Sequence, residues 1–161
     1  MLSIRRLPFA DVAAAFELER ASYPADEAAT LEKLQMRAKY ASEYFYGGYD
    51  DDGLLKSFVC GTLTNDGTIT AQSMSTHEPT GTTLCIHSVV VSPELRRQGV
   101  GTSMLNAFVA LVAEKAHAHR ILLLCKRPLV GFYESVGFTK QGESSVQHGQ
   151  DKWMLMAKFM R

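Results

Sequence analysis

Two kinds of apolar pattern alternate along this chain. Short runs rich in β-branched and aromatic residues read as strands, and stretches with apolar residues three or four apart read as helices. Leu2 to Arg5 predicts a short first strand. Asp11 caps a helix reaching about Ser22, with Val12, Ala14, Ala15 and Phe16 favouring one face. Tyr23-Pro24 ends it, because proline disfavours helix in the residue before it. Leu31, Leu34 and Ala38 predict a second helix from about Ala28 to Ala41. Tyr44 to Tyr49 and Leu55 to Thr64 read as a hairpin around Asp50-Asp51-Asp52-Gly53, whose Asp-Gly pair supplies positive φ. Asn65 to Thr82 is rich in Ser, Thr, Gly and Asn and reads as a loop with room for a short helix. Thr83 to Val91 is the central strand. Thr102 to His117 follows as a helix whose stripe is Met104, Leu105, Phe108, Leu111 and Val112. Arg120 to Cys125 reads as a buried strand, and Leu129 to Val136 as a short helix ended by Gly137. Phe138 to Gln147 and Lys152 to Met160 pair around His148-Gly149-Gln150. The order β-α-α-β-β-β-α-β-α-β-β implies an α/β protein with a mixed central sheet flanked by helices.

Composition narrows the function classes. At 161 residues the chain is expected to be one domain, 1–161, with enough length for a substantial core. Its formal net charge of +0 argues against a nucleic-acid partner. No apolar run has membrane-spanning length, and the N-terminus lacks the apolar core of a signal peptide, so a cytoplasmic location without membrane attachment is expected. Cys60, Cys85 and Cys125 sit in apolar runs without a Cys-x-x-Cys pair, and read as core residues rather than a disulfide frame or zinc site. Cys85 and Cys125 each lie near a motif and are also candidates to line a ligand tunnel. No His, Asp, Glu or Cys cluster has metal-ligand spacing, so no metal is expected.

The chemistry concentrates at Arg96-Arg97-Gln98-Gly99-Val100-Gly101, between the central strand and the third helix. A strand, a basic glycine-rich turn and a helix N-terminus together form an anion site: glycine lets the backbone approach, and the helix end adds partial positive charge. The spacing is neither that of nucleoside triphosphatases nor that of dinucleotide-binding folds. A tight turn with solvated arginines is the plainer alternative. Lys126 and Arg127, after the Cys125 strand, read as solvated charge, with a phosphate contact as the alternative.

The turn has the form Arg/Gln-x-x-Gly-x-Gly/Ala and resembles the acetyl-CoA diphosphate loop of the GNAT superfamily of N-acetyltransferases. Leu122-Leu123-Leu124-Cys125 followed by Phe132-Tyr133-Glu134-Ser135-Val136-Gly137-Phe138 resembles its late motif. Phe16 to Ala21, His87 to Val91 and Leu129 to Tyr133 extend the similarity to the serotonin (arylalkylamine) N-acetyltransferase family, from about Ile4 to Lys158. The vertebrate members carry two histidines on the central strand; His87 stands at the second position and Cys85 at the first. Their Cys-Pro-Leu gating loop is replaced by Tyr23-Pro24-Ala25-Asp26-Glu27-Ala28, whose Asp-Glu pair resembles that of insect members, in which the Glu is considered a general base. The phosphorylated tails of vertebrate members have no counterpart here, so no phosphopeptide-binding regulator is expected.

The resemblance implies acetyl transfer from acetyl-CoA directly to a small-molecule primary amine of the arylalkylamine class. It implies cofactor contacts from Val89, Val90, Val91, Arg96, Arg97, Gln98, Gly99, Val100, Gly101, Thr102 and Tyr133. It also implies splayed central strands at this point. Tyr133 is the candidate general acid toward the departing sulfur, since a phenol with pKa near 10 stays protonated at neutral pH; a tyrosine packed beside glycine with its hydroxyl on backbone is the alternative. His87 and Glu27 are the candidate bases, against a satisfied core histidine and a helix N-terminal acid. Glu27, Leu124 and Cys85 are candidate substrate contacts, with Phe45, Tyr46 and Met74 as further pocket lining. The rivals are polyamine acetylation, protein N-terminal acetylation (whose enzymes usually carry Asn at the place of Lys126) and a non-catalytic acyl-CoA-binding module.

Overall fold

The computed structural model describes residues 2–160. Its elements are β1 (Ser3–Arg6), α1 (Val12–Ser22), α2 (Leu31–Tyr40), β2 (Phe45–Tyr49), β3 (Leu55–Thr64), β4 (Thr83–Val91), α3 (Val100–Lys115), β5 (Arg120–Cys125), α4 (Val130–Ser135), β6 (Thr139–Glu143) and β7 (Met154–Phe159). They form one seven-stranded sheet in the order β1-β2-β3-β4-β5-β7-β6. Only β4 and β5 pair in parallel, joined through α3 as a crossover.

Each face of the sheet is covered by helices whose apolar stripes match it. α1 and α2 bring Val12, Ala15, Leu34 and Ala38 onto Phe45, Phe58, Cys60 and Val90. α3 lays Met104, Leu105, Phe108 and Val112 on Val59, Leu84, Ile86, Ile121 and Leu123 of the opposite face. Burying each large apolar side chain of these layers contributes about 1.5–3 kcal/mol before chain entropy is counted.

Two irregularities at the centre of the sheet position the site. The first is a bulge. Cys60 faces Ser88 and Gly61 faces Ile86, so His87 is an extra residue with no counterpart on β3. Gly61 permits it, because a Cβ there would lie 2.6 Å from the Cys85 carbonyl oxygen. The bulge reverses the alternation of β4: Leu84, Ile86 and then Val89 face α3, while Val90 faces α1. The second is a split. The β4–β5 ladder runs from Thr83–Arg120 to Ile86–Leu123 and stops, whereas β5 continues along β7 to Cys125. Beyond Ile86, β4 therefore presents backbone groups on that side with no strand to take them.

Three differences from the expected boundaries bear on the site. α2 begins at Leu31 rather than near Ala28, because Thr30 caps it, its hydroxyl accepting from the Lys33 amide at 3.2 Å. Pro24 to Ala28 is instead a separate turn, with the Glu27 and Ala28 amides both bonded to the Pro24 carbonyl at 2.9 Å. α3 begins at Val100. The last hairpin is short in ladder and long in loop: β6 ends at Glu143 and β7 starts at Met154, and the segment between leaves the sheet to reach the α1–α2 connection.

Candidate active site

A groove of about 560 Å³ opens where β4 and β5 separate. Its walls are Val89, Val90 and Val91 of β4, the turn Arg96–Thr102, and Leu129, Phe132 and Tyr133. The turn conformation rests on two residues with positive φ, Arg97 (63°) and Gly99 (80°). Gly99 precedes α3 without any side-chain cap, and the first amide bonded back to it is that of Ser103. The Val100, Gly101 and Thr102 amides thus have no carbonyl one turn behind them, the condition for receiving an anion. A Cβ on Gly101 would stand 3.4 Å from Phe132 and 3.7 Å from Val91, inside the groove. The residues present fit the diphosphate of a coenzyme A thioester. Arg96 is partly committed elsewhere: Nε donates to the Val91 carbonyl (3.2 Å) and Nη2 to the Ser22 hydroxyl (3.1 Å), tying α1 to the end of β4. The Gln98 side chain does not face the groove; it donates to the Glu94 carbonyl and braces the turn.

Tyr133 stands at the inner end of this groove, held by edge contacts with Phe132 and Phe138. Burial pushes its hydroxyl well above the usual phenol range, and the neighbouring Tyr23 and Cys125 add to this. It therefore stays protonated at any physiological pH.

A second, smaller cavity of about 60 Å³ lies beneath α1 and α2, and Tyr23 lines both spaces. Its walls include Glu19, Glu27, Arg37, Met74, His87, Leu124, His148 and Trp153. Of the sequence candidates, His87, Glu27, Leu124 and Met74 meet here. Four others do not. Cys125 is buried in the core with Leu123 and Met154, and burial pushes its thiol up to about 11. Cys85 is fully buried with Ile69, Leu122 and Ala157, on the strand before the bulge, and burial pushes its thiol up to about 12. Phe45 stacks on Phe58 in the α1–α2 core, and Tyr46 packs edge-on against Phe108 beneath α3.

Glu27 is nearly enclosed, and Lys126 Nζ approaches its Oε1 at 2.7 Å, outside hydrogen-bonding direction but well within an ion pair. Lys126 also meets Asp151 at 3.0 Å and lies 5.7 Å from the Trp153 ring. This half-buried lysine therefore braces Glu27 from behind the cavity wall, where the sequence suggested solvated charge. His148 Nε2 lies 2.8 Å from the Glu27 carbonyl, and Trp153 Nε1 donates to the His148 carbonyl at 2.6 Å. These bonds fold the β6–β7 segment over the cavity.

His87 keeps surface open to the cavity but lies deep in the protein. Its Nε2 is 2.8 Å from the Thr62 hydroxyl, which itself donates to the Ser73 carbonyl at 2.6 Å. With that proton spent, Nε2 must be the donor, and Nδ1 keeps a lone pair. Burial, helped by Arg37, lowers the His87 pKa well below its ordinary value, so the ring is neutral at pH 7. The linkage sign follows. Below about pH 6.5 the unfolded chain takes up a proton that folded His87 refuses, so stability falls with pH by at most about 1.4 kcal/mol per unit. Glu19, with its raised pKa, works in the opposite sense and is common to wild type and variant. In urea unfolding between pH 7 and 5.5, wild type is expected to lose more stability than His87→Gln; equal slopes would show that His87 is not held neutral.

Residues that sequence reading passed over include Tyr23, Glu19, Arg37, His148 and Trp153. Two carried a readable signal. Glu19 sits on the stripe of Val12 and Ala15, and Arg37 on that of Leu34 and Ala38, so each puts a charge on a buried helix face. His77 accepts from the Leu63 amide at 3.1 Å and holds the β3–β4 loop outside this cavity. Among the described residues no group of three or more metal-ligating side chains occurs, and no helix is long and apolar enough to cross a membrane.

Serotonin N-acetyltransferase of Mesocricetus auratus is 30% identical over 114 residues, covering 71% of this chain and 55% of that protein. The Macaca mulatta serotonin N-acetyltransferase is 27% identical over 142 residues, covering 86% and 69% respectively. The chain thus spans little more than half the length of the first of these. In three dimensions a GNAT-like decarboxylase, GphF, solved with isobutyryl-CoA, superposes with a TM-score of 0.88 at 16% identity, over 99% of this chain and 100% of that one. That likeness speaks to the fold. The sequence profile of the acetyltransferase (GNAT) family matches residues 12–138, from the start of α1 through the helix that carries Tyr133. With the split sheet and the bare α3 amides at its centre, this chain belongs to the acetyltransferase (GNAT) family.

Proposed function

We propose that this protein transfers the acetyl group of acetyl-CoA to a primary amine, and that the amine is an arylalkylamine of the tryptamine, serotonin or phenethylamine type. The observation that carries the reading is the meeting of two different cavities at Tyr23. One fits a coenzyme A thioester. The other combines buried carboxyls, Glu19 and Glu27, with apolar and aromatic walls, Met74, Leu124 and Trp153. Carboxyls favour a cationic amine and the apolar walls favour a ring. The chain's similarity to serotonin N-acetyltransferases supports the same substrate class. At about 60 Å³ the cavity is far smaller than sites that enclose aromatic ligands, so entry displaces a wall. The β6–β7 segment, held by His148 and by Asp151 rather than by a strand, is the wall free to move.

In this reading the thioester supplies an electrophilic acyl carbon. The open side of Val89–Val91 receives the pantetheine arm as an added strand would, and a backbone N–H left unpaired by the split stabilises the charge that develops on the acyl oxygen. Tyr133 protonates the departing sulfur. His87 through Nδ1, or Glu27, relays the proton released by the amine. The test is a panel of amines with acetyl-CoA, read by free thiol. Turnover with tryptamine or phenethylamine above spermidine and above a peptide N-terminus is expected. Preference for spermidine or the peptide would move the substrate class, and tight CoA binding with no turnover on any amine would reduce the protein to a binding module.

A further inference from the structure

The second cavity is lined by several charged side chains, Glu19, Glu27, Lys33 and Arg37, and its two carboxyls are answered differently. Glu27 is paired with Lys126. Arg37 is buried and in no ion pair among the described residues; Nη2 donates to the Met74 carbonyl at 2.9 Å and Nη1 points at Cys60 Sγ at 3.9 Å, while Nε has no partner. Glu19 is different. Only 2% of it is exposed. Its Oε2 accepts from the Ala29 amide at 2.9 Å, while Oε1 has no hydrogen-bond partner among the described residues. No cation lies within ion-pair distance of it: the pairs among the described residues do not include Glu19. The Ser88 hydroxyl is near enough to favour the carboxylate but outside hydrogen-bonding geometry, and is itself unpartnered. An unanswered carboxyl oxygen this deep is costly unless a ligand completes it.

We propose that Glu19 is the ammonium-binding residue of the amine site and takes the amine's first proton, a role that rests on the acetyl-transfer reading above. The proton balance closes. The incoming R–NH3+ gives one proton to the Glu19 carboxylate, leaving a nucleophilic lone pair. The C–N bond forms as the C–S bond breaks, and the sulfur takes the Tyr133 proton. The second N–H proton, released once the C–N bond has formed, is relayed by His87 Nδ1 or Glu27 and water to the Tyr133 oxygen, and Glu19 releases its proton to solvent. Net, R–NH3+ and the thioester become the amide, the free thiol and H+. The groups facing Glu19 are Arg37 on α2, Cys60 on β3, His87 and Ser88 on β4, Tyr23 at the end of α1, and His148 from the β6–β7 segment, with Glu27 and Lys33 lining the same cavity. Desolvation raises its pKa, which brings a carboxyl closer to the range in which it can take and release a proton near neutrality.

Glu19→Gln keeps an oxygen for the Ala29 amide and removes the charge. With tryptamine and acetyl-CoA, kcat/KM is expected to fall at least about 100-fold, and its acidic limb is expected to vanish, with thermal stability within a few degrees of wild type. A second readout does not need turnover. Phenethylamine is expected to compete for the site much better than phenethyl alcohol in wild type, and no better in Glu19→Gln. Glu19→Asp is expected to recover part of the lost rate. If wild type acetylates amines while Glu19→Gln keeps both its pH profile and its preference for the cation, the assignment of Glu19 is overturned and the acetyl-transfer reading stands. If wild type acetylates no amine, that reading fails, and preference for the cation in the competition experiment still decides whether Glu19 binds ammonium.

Discussion

Replacing Tyr133 by Phe is expected to lower kcat about 100-fold or more near pH 7 while leaving the Kd for coenzyme A within about twofold. The magnitude is that of a lost general acid. The structure makes the experiment clean. The Tyr133 hydroxyl is bonded to no other described residue, so its removal breaks no structural hydrogen bond, and the ring contacts with Phe132 and Phe138 persist in phenylalanine. The plainer alternative, a tyrosine whose hydroxyl serves the backbone, is not the arrangement found. Because burial raises this phenol well above its ordinary pKa, the activity of wild type is not expected to fall through Tyr133 ionisation up to pH 10. Thiol release under saturating amine measures kcat, and calorimetry measures CoA affinity. Unchanged turnover in Tyr133→Phe would remove it from the chemistry.

The second large effect is expected at the anion cradle. Gly101→Leu should weaken coenzyme A binding by at least tenfold, by placing a side chain between Phe132 and Val91 where the groove admits the ligand. The direction for stability is the opposite. Gly101 lies inside α3 with ordinary helical φ, so leucine relieves the entropic cost of glycine, worth up to about 1 kcal/mol, and the melting temperature should hold or rise. A loss of affinity without loss of fold is therefore the signature. Wild-type affinity in Gly101→Leu would mean that the ligand does not run along the α3 N-terminus. Gly99 would be a poorer probe: its φ of 80° penalises any side chain through the backbone, so fold and binding would fail together.

The outcome at individual residues separates two kinds of information. The strand–turn–helix around Gly99 was readable because its parts follow one another directly along the chain, and glycine at positive φ and amides at a helix start are local properties. The helix stripes were readable for the same reason, since periodicity reports which face is buried. Even there, α2 started three residues late, because a Thr30 side-chain bond outweighed the apolar spacing that suggested Ala28.

The second cavity was not readable in this way. Its walls come from α1, α2, the β3–β4 loop, β4, β5 and the β6–β7 segment, and Glu27 meets His148 across 121 positions. Lys126 looked like solvated charge because nothing local says that the chain will bring Glu27 and Asp151 to it. Cys85 and His87 are two apart and would share a face on a regular strand; the bulge opposite Gly61 gives them separate surroundings, one in the core and one in the cavity. What the order of amino acids settled was the sequence of elements and the anion turn, since both follow from neighbours along the backbone. Which carboxyl is left without a partner, and which histidine is held neutral, depended on the folded packing, since the dielectric and the partners that decide a charge are supplied by segments far apart in the chain.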